Sequence, residues 1–198
     1  MAIKIDPISV KSNLTNYAKT YPDFHKALKK ANDTFNSLNT YWTGDRYKKI
    51  MQAWNKVVPD LNKQLKVLAE SSKVLNTILK NYTTADTNAI NVQAANVLTL
   101  TTCNISNKQE INFDNAKLLS DLQKVSSAIS DAKSHAAKMK TFNNNAQWSG
   151  EGAIDKAKSD VNSALDKIDA SLSSLSTDVN KVLKDTSTDF EKAKNSYK

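Results

Sequence analysis

The sequence predicts an all-α protein built as two long antiparallel helical hairpins that close into an elongated four-helix bundle. Two observations carry this expectation. Apolar residues recur every three or four positions along four long stretches, which is the period of a helix with one buried face. The three glycines of the 198-residue chain fall at only two places, Gly44 and the pair Gly150 and Gly152. Glycine is the strongest local interruption of a helix, so stripes broken at these points read as helix, turn, helix, twice over.

The first stripe runs through Leu14, Tyr17, Tyr21, Phe24, Leu28, Ala31, Phe35, Leu38 and Trp42 without a missed step. After Gly44 the rhythm returns at Trp54, Val58, Leu61, Leu65, Leu68, Leu75, Leu79 and Tyr82, with Ser72 as its one interruption. A third stripe comprises Leu118, Leu122, Val125, Ile129, Ala132, Ala136 and Met139. The fourth comprises Ile154, Ala157, Val161, Leu165, Ile168, Leu172, Leu175, Val179, Val182 and Thr186. Pro22 and Pro59 fall within the first two stripes and each removes a backbone donor, which predicts a kink or a helix start there.

Residues 83–107 lose the stripe and are rich in Thr and Asn. The chain therefore divides into a first hairpin over 1–86, a linker over 87–106 and a second hairpin over 107–198. Ala89, Ile90, Ala94, Val97 and Leu98 leave open a short helix within the linker. If the hairpins lie antiparallel, the linker must travel the length of the bundle, which it can do only when extended and nearly free of helix.

Composition excludes several classes. Hydrophobic residues make up 39% of the chain and no run approaches the ~20 that a transmembrane helix needs. The opening MAIKIDPISVKSNL has neither an apolar core nor a small-residue cleavage site, so export would depend on a signal other than a cleaved leader. The net charge is +8, divided as +7 over residues 1–100 and +1 over residues 101–198. Arg46 is the only arginine and the lysines are scattered, which disfavours nucleic acid as a partner. His25 and His135 stand apart from any metal-ligand pattern, and Cys103 has no base or cation beside it in sequence. No phosphate-loop, nucleophile-elbow or dinucleotide motif occurs, so neither an enzyme nor a cofactor or metal is expected.

The two breaks carry a shared motif, Trp42-Thr43-Gly44 and Trp148-Ser149-Gly150, 106 residues apart. Glycine permits the turn, the tryptophan ends the apolar stripe, and Thr43 or Ser149 can cap the following helix. Forty residues after Trp42 comes Tyr82-Thr83-Thr84-Ala85-Asp86, a Y-x-x-x-D at the end of the second stripe. A W-x-G between two long helices followed by Y-x-x-x-D/E resembles the WXG-motif family of early secreted antigens, and the opening MAIKIDP is similar as well. The resemblance covers residues 1 to about 90, and residues 107–198 as a degenerate second copy. There Phe190 and Lys194 stand where the tyrosine and the acid would be.

What the resemblance implies is a non-catalytic helical protein made in the bacterial cytoplasm and secreted through type VII machinery without a cleaved leader. Trp42, Gly44, Tyr82 and Asp86, with Trp148 and Gly150, would serve the turn and export motif. The implied partners are the secretion machinery and a co-secreted helical protein or toxin, in virulence or competition between bacteria. With two hairpins in one chain, a monomer that is its own pseudo-dimer is expected, with a homodimer as the other form. A different class, a helical membrane-acting toxin, would use the basic first half and the apolar stretch Val92–Leu100.

Overall fold

The computed structural model describes residues 4–82, 97–105, 114–150 and 152–196. Four helices, α1 (Pro7–Tyr41), α2 (Asp45–Tyr82), α3 (Asn115–Asn145) and α4 (Gly152–Ser196), form a helical bundle. At 1.5 Å per residue they run roughly 45 to 70 Å. Every member of the first, third and fourth stripes is buried, as are Trp54, Val58, Leu61, Leu65, Leu68 and Leu75 of the second. The stripe of α2 also begins earlier than expected, because Tyr47, Ile50 and Met51 are buried. The side chains of Leu79 and Tyr82 lie outside the described residues.

Both prolines sit inside their helices, which continue through them. Pro22 and Pro59 are exposed, so the carbonyl that each deprives of a donor opens toward water rather than into the core. Ser72, the gap in the second stripe, is buried and has a partner there. Its hydroxyl donates to the Leu68 carbonyl at 2.7 Å and lies 2.9 Å from the Tyr17 hydroxyl, so a polar pair crosses from α1 to α2 inside an apolar seam.

The order of the helices around the bundle is not that of two self-contained hairpins. α1 packs along α3, α3 along α4 and α4 along α2, whereas the backbones of α1 and α2 come close at few points. Residue size accounts for part of this. Ala128, Ala132 and Ala136 of α3 and Ala157 and Ala164 of α4 are buried and allow close approach. Between α1 and α2 stand Tyr17 against Ser72 and Phe35 stacked on Trp54, ring centroids 4.5 Å apart.

The hairpins run antiparallel. Tyr41, at the end of α1, donates a hydrogen bond to Asp121 near the start of α3 at 2.7 Å, while Ser9 donates to the Asn145 carbonyl at the far end at 3.0 Å. Likewise Arg46 at the start of α2 pairs with Asp189 late in α4 at 2.7 Å, and Asp60 accepts from Ser171 at 3.1 Å. The chain must therefore return along the bundle between α2 and α3. Residues 97–105, the described part of that return, carry no helix, whereas Ala89, Ile90 and Ala94 lie outside the described residues.

One feature departs from an all-helical chain. Lys4–Ile5 (β1) pairs antiparallel with Trp148–Ser149 (β2), Ile5 opposite Trp148. Asp6 then caps α1, accepting from the amides of Ile8 and Ser9 at 3.0 and 3.2 Å. Among the described residues no helix is long and apolar enough to cross a membrane.

Candidate functional site

The two W-x-G turns lie at opposite ends of the bundle and differ in construction. Trp42 is itself the C-cap of α1, with its amide on the Leu38 carbonyl at 2.9 Å. Gly44 follows at φ +97°, and its carbonyl accepts from Lys48 to begin α2. A side chain is strained at that φ, so glycine suits the position for its backbone rather than for space. The Trp42 indole is buried and meets the Tyr47 ring edge-on at a centroid distance of 6.0 Å.

The second turn is longer. α3 ends at Asn145 with Ala146 as its cap, Trp148 comes two residues on, and Gly150 takes φ +95°. Lys158 of α4 reaches back with its ammonium 2.6 Å from the Ala146 carbonyl and 3.5 Å from that of Trp148. Burial lowers the pKa of this lysine, against the opposing pull of Asp155. Trp148 is buried, and its Nε1 finds no acceptor among the described residues. The helix-capping expected of Thr43 and Ser149 has no counterpart among the described hydrogen bonds. Ser149 instead lies in the pair with β1, and the Gly150 amide donates to Asp155 at 3.3 Å.

Each turn faces the open end of the other hairpin. Trp42, Thr43, Asp45 and Arg46 line a cleft with Leu118, Asp189, Phe190 and Ala193, so Phe190 of the degenerate copy meets the first turn. Lys194 is exposed on the last turn of α4. At the other end, the register set by Arg46–Asp189 and Asp60–Ser171 brings the last turn of α2, which closes at Tyr82, level with Gly150 and Gly152. The Tyr82 side chain and the whole of Asp86 lie outside the described residues. Of the six expected motif residues, then, Trp42, Gly44, Trp148 and Gly150 are placed in full, and they do not gather in one site.

Burial lowers the pKa of His25 to about 4, and its ring lies tilted against that of Tyr21 with centroids 4.2 Å apart. Burial likewise pushes the Cys103 thiol up to about 11, far from a reactive thiolate at neutral pH. Among the described residues no three His, Cys, Asp or Glu side chains could hold a metal ion.

A second, unforeseen constellation lies in the α1–α2 seam, where residues 98–105 run as an extended strap. Leu100 and Cys103 are buried, while Thr99, Thr101, Thr102 and Asn104 are exposed. Of the stretch Val92–Leu100, Leu100 is thus enclosed by protein, and Val92 lies outside the described residues. Asn62 donates to the Leu100 carbonyl at 2.9 Å and accepts from its amide at 2.8 Å. Asn55 does the same at Cys103, both bonds at 2.7 Å. From α1, Asn32 accepts from the Thr101 amide at 2.7 Å, and the Trp54 indole donates to the Thr101 carbonyl at 2.9 Å.

Net gains near 1 kcal/mol for a hydrogen bond and ~1.5 to 3 kcal/mol for a buried leucine make the strap a substantial ligand of the seam. A sequence signal was present. Four asparagines, Asn32, Asn36, Asn55 and Asn62, stand inside helices where asparagine is a poor helix former, which calls for another use of the side chain. Comparison of the chain with family models, with curated proteins and with solved structures returned no match.

Proposed function

We propose that this chain is a non-enzymatic bacterial protein exported by a type VII system, acting as a secreted substrate or as the helical partner of a larger effector. The observation that carries the reading is the repeated W-x-G, each copy falling at a real helix–helix turn with a buried tryptophan and a left-handed glycine. The antiparallel arrangement adds to it. The second turn and the end of α2 share one end of the bundle, where Trp148 and Gly150 would join Tyr82 and Asp86 in a composite signal. At the other end Trp42 shares a cleft with Phe190, and Lys194 replaces the acid, so only one end is export-competent.

Secretion assays in the native host test this. Tyr82→Ala, Asp86→Ala and Trp148→Ala should each accumulate as folded protein inside the cell, with Lys194→Ala exported normally. Deletion of the type VII ATPase should abolish export of the wild type. Normal export of the Tyr82→Ala and Asp86→Ala proteins would overturn the signal reading, and loss of helicity in them by circular dichroism would return both residues to a packing role. Inertness toward liposomes is expected, whereas leakage at low protein concentration would favour the membrane-acting alternative.

A further inference from the structure

The α1–α2 seam holds its strap by the backbone. The Asn62 and Asn55 amides each take both the N–H and the C=O of one strap residue, Leu100 and Cys103, which is the pairing a neighbouring strand would offer. The spacing is matched. Seven residues of helix advance about 10.5 Å, and three residues of extended chain advance about 10 Å. Asn32 and the Trp54 indole complete the set at Thr101, so three residues of the strap have both backbone groups held by helix side chains. Leu100 and Cys103 are the buried side chains of the strap, with Leu98 and Ile105 half-buried against the core; Thr99 and Thr102 are exposed, whereas the Thr101 hydroxyl accepts from Asn36 at 2.9 Å and donates to Asn32 at 3.2 Å. The seam therefore selects an extended backbone with an apolar residue and, three positions on, a small one, with a hydroxyl favoured directly after the apolar residue and little demand on the next.

We propose that the α1–α2 seam is a peptide-binding groove, that residues 98–104 are its resident intramolecular ligand, and that an extended segment of a partner protein with a leucine-like residue followed three positions later by a small apolar one takes the same seat by displacing the strap. The specificity lies mainly in conformation and spacing, because apart from those at the Thr101 hydroxyl and the Cys103 thiol the bonds to the helix asparagines and Trp54 address groups every residue but proline carries. The strap also runs antiparallel to α2, pairing Asn62 with Leu100 and Asn55 with Cys103, so the groove fixes chain direction. The inference is independent of export.

Cys103 supplies the reporter, since its thiol is buried while the strap is seated. The probe is a synthetic peptide of residues 97–105 with alanine in place of the cysteine, added to full-length wild-type protein during alkylation with iodoacetamide. At about ten times its dissociation constant the peptide should raise the released fraction, and with it the labelling rate, about tenfold and saturably. The same peptide with Leu100→Asp should have no effect. In protein carrying Asn55→Ala and Asn62→Ala, labelling should be fast without peptide and indifferent to it, with helicity retained. A second arm uses full-length Leu100→Asp, whose own strap is weakened. It should bind the fluorescein-labelled peptide more tightly than the wild type by fluorescence anisotropy. Labelling of the wild type that does not respond to peptide, or that follows the same urea dependence as the loss of helicity, would overturn the proposal and leave the strap a fixed structural linker.

Discussion

At the residue scale, polar groups placed inside the apolar seams account for the most specific expectations. Tyr17 is buried and its hydroxyl faces Ser72, with burial the main cause of its strongly raised pKa. Ser72→Ala leaves that hydroxyl without its partner and should cost ~1 to 3 kcal/mol, the penalty of a buried unpaired group. Adding Tyr17→Phe should recover part of the loss, so the double variant should be destabilised by less than the sum of the singles in urea unfolding. Additive effects would show that the pair does not couple.

His25 gives a pH expectation of definite sign. Burial lowers its pKa from 6.5 to about 4, so between those values the unfolded chain binds a proton that the folded chain refuses. Stability is therefore full above about pH 6.5 and falls as the pH drops toward 4. Asp121 acts in a lower window. Burial alone would raise its pKa, but hydrogen bonds from Lys124, Tyr41 and Lys117 hold it at about 2, so its contribution is lost only below about pH 4. Comparing urea midpoints at pH 7 and 4.5, His25→Phe should lose less stability on acidification than the wild type; an equal loss would remove His25 from the account.

At the scale of elements, the turns and the strap differ in what they ask of the chain. Gly44 has φ +97° with nothing within 4 Å of where a Cβ would stand, so Gly44→Ala tests the backbone alone. It should cost about 1 to 2 kcal/mol, the penalty of a left-handed non-glycine residue. Gly152 also has open space but begins α4 in ordinary helical geometry. Gly152→Ala should therefore cost nothing and gain a fraction of ~1 kcal/mol from helix propensity. Equal effects at the two positions, read from thermal unfolding, would show that the conformation at Gly44 is not what stabilises the first turn.

At the scale of the whole molecule, the packing of α1 on α3 and of α2 on α4 bears on assembly. α1 and α2 cover their apolar faces mainly against α3 and α4, so each hairpin completes the other within one chain. A folded monomer is the expected form. Sedimentation equilibrium should give one chain across the micromolar range, and a dimer that unfolds on dilution would mean that the hairpins pair between molecules instead. Arg46–Asp189 and Lys140–Asp166 join the hairpins and the helices of the second hairpin, respectively, but are largely exposed, so added salt should change the monomer's stability little.

By itself the sequence determined the four helices, the face that each buries and the two turns, because the period of a stripe and the freedom of glycine are local properties of a chain. Even the interruption at Ser72 was legible as a break, though not as a partner for Tyr17, which lies 55 residues away. What only the tertiary structure decided is which helices become neighbours. That depends on residue volumes meeting across a seam, as the stacked Phe35 and Trp54 rings do between α1 and α2. The strap and the pairing of Lys4–Ile5 with Trp148–Ser149 were decided there too. Hydrogen bonds between groups distant in sequence leave no periodic trace, and the asparagines that hold the strap acquire their role only when α1 and α2 stand far enough apart to admit it.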